Sequence, residues 1–346
     1  MQFQGMLTDQ PYRLQSICAA SSLQRGFIYH ALSEPDDDAY RVQSVLDIKL
    51  KLNIDCYRQA WQCLLDQSPG LRIGFNWDHE LLQIIYRDIA INFTHIDLSD
   101  EKDSESLIES YQQTERLKSF DLERPPLFRL LVLQHSESSF TVIKTEHHSI
   151  SDGWSGPLVM SRVNHYYEQL VKGQSVTVSE DRSYLDAQRY HASQGSTVKD
   201  YWDKEKQAFN MINDLNPLLS HSTHLNQHRI VDQAATETLI VDNALYQSLQ
   251  ATVRDLGVTM HVVVQFMWHK LIQVYTQDDQ TIVGTTLSGR SLPIAGIKES
   301  IGCYINTLPL RVSWDNDNSI ADQIKSIFTS VMDINAHSSM DLASLQ

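Results

Sequence analysis

A strand, a tight turn and a helix follow one another between residues 140 and 173, and this order constrains the fold more than any other part of the sequence. Residues 140–147 alternate between two faces, which predicts a strand. After Gly153, apolar residues recur along one helix face from 158 to 170, and Gly173 follows as a C-terminal cap. Residues 147–155, with the sequence HHSISDGWS, are therefore expected in a loop between strand and helix.

The length of the chain indicates two lobes. It has 346 residues, whereas a single core usually stops growing at about 250–300 residues. The apolar periodicity breaks between residues 174 and 183, so the predicted N-terminal lobe is 1–175 and the C-terminal lobe 176–346. Further helices are predicted near 52–68, 245–256, 260–275 and 320–334, with strands at 281–287 and 304–312. Because both halves mix helices and strands, the predicted fold class is α/β in two lobes.

Composition limits the function classes. The 42% hydrophobic and 21% charged residues are typical of a soluble globular protein. A formal net charge of -15 disfavours a nucleic acid or an anionic membrane as the partner, because both would repel the chain. No window reaches the roughly 20 apolar residues of a membrane span, and the four cysteines form no Cys-x-x-Cys pair. We therefore expect a cytoplasmic protein without a signal peptide, a membrane anchor or a disulfide framework.

The two adjacent histidines are the candidate catalytic groups. Successive side chains of a strand point to opposite faces, so only one of His147 and His148 can reach a given cleft. An imidazole has a reference pKa near ~6.5 and can take or hold a proton near neutral pH, which suits an amine attacking an acyl centre. Asp152 and Gly153 are expected to close a tight turn, in which glycine permits positive φ.

This segment has three other interpretations: two structural histidines, a metal site and a serine nucleophile. The histidines could both be structural. A metal site built on His148 and Asp152 lacks a third ligand at a usable spacing, so no metal is predicted. A nucleophilic Ser155 fails the Gly-x-Ser-x-Gly pattern, because Pro157 replaces the second glycine.

Residues elsewhere in the chain have plainer interpretations. A polar stretch with three histidines is expected to be a solvated loop rather than a metal face; these are His221, His224 and His228. Three tryptophans lie on apolar helix faces and are expected in the core; these are Trp61, Trp202 and Trp268.

The HHSISDGWS segment resembles the His-His-x-x-x-Asp-Gly signature of condensation domains of nonribosomal peptide synthetases, shared more loosely with chloramphenicol acetyltransferase and acyl-CoA-dependent acyltransferases. Four further stretches resemble motifs of that family and occur in the same order along the chain. They are SLQRGF at 22–27, LRIGF at 71–75, FDLERPPLFR at 120–129 and IGCYINTLPLR at 301–311. The resemblance thus covers residues 20–312.

The resemblance implies a fold and roles for the site residues. It implies two chloramphenicol-acetyltransferase-like lobes that form a V-shaped pseudo-dimer with a tunnel between them, and His148 at the junction of the tunnel. The remaining motif residues would support it: His147 and Gly153 hold the loop, Asp152 forms an ion pair with Arg290, and Trp154, Ser155 and Asn306 belong to the tunnel or its motifs.

The implied activity is amide bond formation between two carrier-bound substrates. A donor acyl or peptidyl thioester and an acceptor aminoacyl thioester would meet in the tunnel, each on the 4'-phosphopantetheine arm of a carrier protein. The partners implied are the upstream and downstream peptidyl carrier proteins and the adenylation domain of the same module. No intrinsically bound cofactor is implied, and the role of His148 stays open between base, positioning and stabilisation of the tetrahedral intermediate.

Two departures qualify the resemblance. A complete member of the family continues beyond the point corresponding to Gln346, so the C-terminal lobe is expected to be incomplete. Residues 24–30 and 68–72 resemble the subtype that accepts a donor ending in a D-configured residue. Alternatives of the same fold are an epimerase, an acyltransferase using free acyl-CoA and a non-catalytic recruitment domain.

Overall fold

Two compact units make up the structure, a computed structural model that describes residues 12–101, 104–209, 213–218, 236–315 and 317–345. One unit is Met1–Ser193 with Leu292–Ile305, and the other is Gln194–Ser291 with Asn306–Gln346. Residues 176–193, assigned to the C-terminal lobe from the sequence, lie with the first unit because Tyr184 and Ala187 are buried in its core. The three histidines His221, His224 and His228 lie outside the described residues.

The first unit contains two sheets and five helices within the described ranges. Its strands are β1 (Arg13–Ala19), β2 (Arg41–Ile48), β3 (Ile73–Asn76), β4 (Leu82–Arg87), β5 (Phe93–Asp97), β6 (Phe128–Ser136) and β7 (Ser139–His147). Its helices are α1 (Ser22–Ser33), α2 (Ile54–Gln67), α3 (Ser104–Leu117), α4 (Ser155–Val171) and α5 (Ser183–Ser193). The sheets have the orders β1-β4-β3 and β2-β7-β6-β5, with β5 parallel to β6 and the other pairs antiparallel.

Helices pack on both faces of the four-stranded sheet. Alternate side chains of β7 contact different helices. Val142 packs into the main core beside Trp61 of α2 and Val159 of α4, whereas Ile143 packs into a smaller cluster on the side of α3. The α2 helix begins where the side chain of Asn53 accepts a hydrogen bond from Cys56 N–H, as its sequence predicts. Because β7 is buried on both of its faces, the position of every β7 side chain is fixed by the strand register.

The second unit pairs two strands with four helices in the part of it that is described. The helices are α6 (Gly195–Ala208), α7 (Asn243–Leu256), α8 (Met260–Thr276) and α9 (Ile320–Ala336), and the antiparallel strands are β8 (Gln280–Leu287) and β9 (Asn306–Ser313). The α7 helix ends at Gly257, which has a φ of 67° as expected for a glycine C-terminal cap. The predicted mixed α/β class is confirmed in both units.

The prediction of core tryptophans is right for two of the three residues. Trp61 and Trp202 are fully buried, but Trp268 on α8 is 53% exposed. The α8 helix is apolar around most of its circumference, so its sequence does not reveal which side packs; the packed side contains Val262, Val263 and His269. Among the described residues, no helix is both long and apolar enough to cross a membrane.

We expect Gly70→Ala to destabilise the first unit. A Cβ at this position would lie 2.6 Å from the carbonyl oxygen of Ile301 and 3.0 Å from Cα of Gly302, both backbone atoms that cannot rotate away. Overpacking of this kind costs about 1–3 kcal/mol. Gly156→Ala in the exposed first turn of α4 is the matched control, because nothing lies within 4 Å of its added Cβ. Urea unfolding measures the effect, and equal midpoints for the two variants would contradict the close approach of residues 301–302 to Gly70.

Candidate active site

Strand β7 delivers the two adjacent histidines to one end of the four-stranded sheet. His147 is paired with Arg41 of β2, and its N–H donates to the carbonyl of Leu127 at 2.9 Å. His148 N–H donates to the carbonyl of Tyr40 at 2.9 Å, so the backbone stays paired for one further residue. The two imidazoles have different surroundings, with Phe27 beside His148 and Phe120 beside His147, as expected where neighbouring side chains point to opposite sides at a strand end.

His148 is half-buried and held in one tautomer. Its Nδ1 lies 2.8 Å from the carbonyl oxygen of Ser151. A carbonyl oxygen can only accept, so Nδ1 carries a proton, and in the neutral ring the lone pair is therefore on Nε2. The ring of Phe27 on α1 lies beside the imidazole, with 5.1 Å between the ring centroids. The arrangement fixes the ring and leaves Nε2 as a hydrogen-bond acceptor or base.

His147 is almost fully buried and lies in a different environment. Its Nδ1 lies 2.7 Å from Oγ of Ser149, and the ring of Phe120 packs edge-on against it. Burial above all, then the neighbouring His148 and Arg41, lowers the pKa of His147 from 6.5 to about 4. His147 is therefore neutral at physiological pH, and its position suits it to hold the loop.

Asp152 links the motif turn to a distant part of the first unit. Its Oδ1 accepts the backbone N–H of Ser155 at 3.0 Å, and its Oδ2 accepts the backbone N–H of Tyr304 at 3.0 Å. The side chain is 5% exposed. A buried carboxylate that accepts backbone N–H groups from two separate segments fixes their separation, because each of these bonds is directional and charge-assisted.

The hydroxyl of Ser155 reinforces the same link. Its Oγ lies 3.0 Å from Oδ1 of Asp152 and 3.0 Å from the carbonyl oxygen of Gly302, and it accepts Gly302 N–H at 3.1 Å. Gly302 itself is packed so closely that an added Cβ would lie 2.5 Å from the ring of Tyr184. Ser155 thus has a structural position between two segments, in agreement with the rejection of a nucleophilic role.

A buried glutamine of α1 supports the loop from the other side. Nε2 of Gln24 donates to the carbonyl of Ser149 at 2.8 Å, and Oε1 of Gln24 accepts Ser21 N–H at 2.8 Å in a capping box. The hydroxyl of Tyr184 donates to Oε1 of Gln83 at 2.6 Å within the same buried cluster. The Ser-x-x-Gln spacing is a capping-box pattern that the sequence displays, but its contact with Ser149 could not be foreseen from it.

The expectation for Gly153 is wrong in one respect. The residue does not adopt positive φ, because the turn closes through the Asp152 and Ser155 contacts without the left-handed region. Gly153 is exposed, and an added Cβ would meet nothing within 4 Å. The next residue, Trp154, is 55% exposed and precedes α4 without a side-chain capping bond. Both residues therefore contribute bare or apolar surface rather than contacts within the turn.

Two predicted site residues belong to the second unit. Arg290 is buried, its backbone N–H donates to Oγ of Ser288 at 3.3 Å, and its Nη1 donates to the carbonyl of Ser288 at 3.3 Å. The predicted ion pair of Arg290 with Asp152 joins residues of different units and stays a prediction. Asn306 uses Nδ2 to donate to the carbonyls of Ser338 at 2.7 Å and Met340 at 2.9 Å. Asn306 therefore satisfies backbone groups of residues 338 and 340.

Protonation of His147 should make the protein less stable in acid. Its pKa is lower folded, about 4, than the reference value of 6.5, so the unfolded chain binds the proton more tightly between these values. The contribution of neutral His147 to the free energy of unfolding is present above pH 6.5. It is lost as the pH falls towards 4, at up to about 1.4 kcal/mol per pH unit. We expect His147→Gln to remove this dependence, with His165→Gln, an exposed histidine of α4, as the control. Parallel profiles of unfolding free energy against pH for wild type and His147→Gln would contradict this.

Comparisons with known proteins show similarity over nearly the whole chain. The family model of the condensation domain matches residues 14–346. The chain is 32% identical to N-(5-amino-5-carboxypentanoyl)-L-cysteinyl-D-valine synthase of Penicillium rubens, over 98% of the chain and 9% of that protein. It is 27% identical to bacitracin synthase 3 of Bacillus licheniformis, over 100% of the chain and 5% of that protein. The chain thus spans less than a tenth of the length of these relatives.

Solved structures show the same fold. The first condensation domain of the calcium-dependent antibiotic synthetase matches with a TM-score of 0.67 at 19% identity, covering 94% of this chain and 76% of that one. A four-domain nonribosomal peptide synthetase bound to AMP and glycine matches with a TM-score of 0.71 at 18% identity, covering 98% and 25%. Because the family match extends over nearly the whole sequence and includes the histidine turn, the chain belongs to the condensation domain family.

Proposed function

We propose that this chain catalyses amide bond formation between a donor acyl or peptidyl thioester and an acceptor aminoacyl thioester. Both would be tethered to 4'-phosphopantetheine arms of carrier proteins, and the chain would work beside the adenylation domain of the same module. Membership of the condensation domain family and similarity to a four-domain synthetase support this proposal. The observation that carries it is the half-buried His148. Its Nδ1–H donates to the carbonyl oxygen of Ser151, so that the lone pair of the neutral ring is on Nε2.

The attacking amine must lose a proton, so the reaction needs a base or a hydrogen-bond acceptor beside its nitrogen. The nitrogen of the acceptor amine attacks the thioester carbonyl carbon and forms the C–N bond. The tetrahedral intermediate then collapses, the C–S bond breaks, and the donor's pantetheine sulfur leaves. The nitrogen loses one proton and the leaving thiolate gains one, so the proton balance closes through a single relay.

His148 is suited to that relay. In the tautomer fixed by Ser151, Nε2 can accept an N–H of the amine, orient its lone pair and take the proton as the bond forms. It can then return the proton to the thiolate. Stabilisation of a negatively charged oxygen would instead use a proton on Nε2, as in the doubly protonated ring. The contact with Ser151 supports orientation or deprotonation of the amine by the neutral ring, with positioning contributing to the rate.

The remaining motif residues would hold His148 in place. Asp152 and Ser155 connect the turn to residues 302–304, and Gln24 connects α1 to the loop through Ser149. The bare surface at Gly153 leaves room beside the turn for a thioester arm. These residues act on the substrates through His148 and the shape of the loop.

We expect His148→Ala to abolish amide formation while leaving the fold intact. The loss should be at least about 100-fold, the lower range for removal of a positioned acid–base group. The measurement is intact-mass analysis of two loaded carrier proteins mixed with the protein, which detects transfer of the acyl group from one arm to the other. His165→Ala serves as the control. Turnover at the wild-type rate would remove His148 from the mechanism, and transfer only to free amines or coenzyme A would refute the carrier-dependent reaction.

We expect Asp152→Asn to lower stability and activity together. The amide keeps the size of the side chain but replaces one acceptor oxygen by an NH2 group, which then faces a backbone N–H of Ser155 or Tyr304. A buried donor left unsatisfied costs about 1–3 kcal/mol. Urea unfolding and the carrier assay measure the two effects, and Asp66→Asn, an exposed carboxylate on α2, is the control. A variant with wild-type stability would show that these backbone contacts do not hold the turn.

A further inference from the structure

A buried ion pair lies on the strand that delivers the catalytic histidine, and the mechanism above does not use it. Nζ of Lys144 lies 2.5 Å from Oε1 of Glu146, and both residues are on β7. Their side chains are only 9% and 10% exposed. Burying two charges is costly and adds little net stability compared with apolar residues of similar size. A pair in such a position next to a reacting centre points to a role in binding.

The pair and His148 occupy alternate positions along the chain. Side chains alternate along β7, which ends at His147. His148 follows directly with its N–H still bonded to the carbonyl of Tyr40, and it begins the turn closed by the bond from Ile150 N–H to the carbonyl of His147. Lys144 and Glu146 therefore share one face of β7, with about 6.6 Å between alternate residues, and His148 is the next alternate residue just past the end of the strand. His147 occupies the opposite face.

Each member of the pair has unused hydrogen-bonding capacity. Oε2 of Glu146 is buried and has no hydrogen-bond partner among the described residues. An ammonium group has three donors, and within the described part of the chain Nζ of Lys144 contacts Oε1 of Glu146. A carboxylate oxygen without a hydrogen bond therefore lies beside an ammonium group with further N–H donors. A buried polar atom without a partner gains more free energy from a new hydrogen bond than one that is already bonded.

The open side of the pair is the sheet edge. Glu146 is paired with Val42 and Lys144 with Ser44, and both of these β2 residues are exposed. On the other side, Phe128 of β6 is buried opposite Glu146. Because β2 is the edge strand of the sheet, an occupant would reach the pair along β2 and the end of β7 near His148.

The chemistry of the occupant follows from charge balance. The pair is neutral as a whole, so a group with net charge would leave one charge unmatched in a buried place. A peptide amide presents an N–H for Glu146 and a carbonyl oxygen for Lys144 and adds no net charge. A hydrocarbon chain would satisfy neither. A peptidyl chain has a residue every 3.8 Å or so, so a chain that reacts at His148 and runs along this face brings an amide to the pair.

We propose that Lys144 and Glu146 bind a backbone amide of the donor and so select a peptidyl donor over a fatty-acyl donor. The donor is specified because a single aminoacyl acceptor contains no peptide amide. This inference rests on the proposed function and names the substrate class of the same site. Lys144 and Glu146 are specificity-determining residues, and the chemistry stays with His148.

The test compares two donors in the carrier assay, glycylglycyl and octanoyl thioesters of the same carrier protein. We expect the wild type to favour glycylglycyl, and Lys144→Met/Glu146→Leu to reduce that preference by at least about 10-fold, as expected for losing hydrogen bonds to charged groups. The change should appear in the KM for the donor, with the KM for the acceptor unchanged. Apolar replacement of a buried pair is often neutral for stability, and Glu146→Gln provides a second variant that keeps the size of the side chain.

The control is Lys172→Met/Glu168→Leu, which removes an exposed pair of the same residue types at the C-terminal end of α4. It should leave the donor preference unchanged. Amide product with the same donor ratio in wild type and both Lys144 and Glu146 variants would overturn the inference while leaving the proposed function standing. Absence of amide product from either donor with the wild type would refute the proposed function instead. Binding of the two donors' N-acetylcysteamine thioesters to His148→Ala, measured by calorimetry, tests the preference without turnover.

Discussion

The carboxylate of Asp152 is the contact on which the geometry of the histidine turn depends. It accepts N–H groups from Ser155, three residues ahead, and from Tyr304, far along the chain. The first bond starts α4 at a defined residue, and the second ties that start to the segment that returns to the first unit. A short buried anion can do this because its lone pairs accept several donors at once. The His148 loop is therefore anchored at both ends, by β7 and by Asp152.

The two histidines illustrate how one short sequence produces two different chemical environments. A strand register places neighbouring side chains on opposite faces, so His147 enters a dry region that keeps it neutral while His148 stays half-buried beside Phe27. The hydrogen bond from His148 Nδ1 to Ser151 then selects the tautomer. The same alternation places Lys144 and Glu146 on one face of β7, at the alternate positions that precede His148.

Local patterns in the sequence predicted local structure well. The helix caps at Asn53 and Gly257 and the strand that ends at His147 all appear where the spacing placed them. Each depends on a few consecutive residues and on hydrogen bonds within one turn of the chain. Two other predictions were wrong. Trp268 is exposed because only packing decides which side of an apolar helix is covered, and Gly153 needs no positive φ because Asp152 and Ser155 close the turn.

The sequence by itself determined the α/β class, the strand–turn–helix around residues 147–155 and, through its motifs, membership of the condensation domain family. The tertiary structure decided which groups meet across long separations, namely Asp152 with Tyr304 and Gln24 with Ser149. It also decided that the Lys144–Glu146 pair is buried. The physical reason is that periodicity and capping act between residues a few positions apart. Burial and hydrogen-bond partners across the fold depend on how distant segments pack, and no local pattern encodes them.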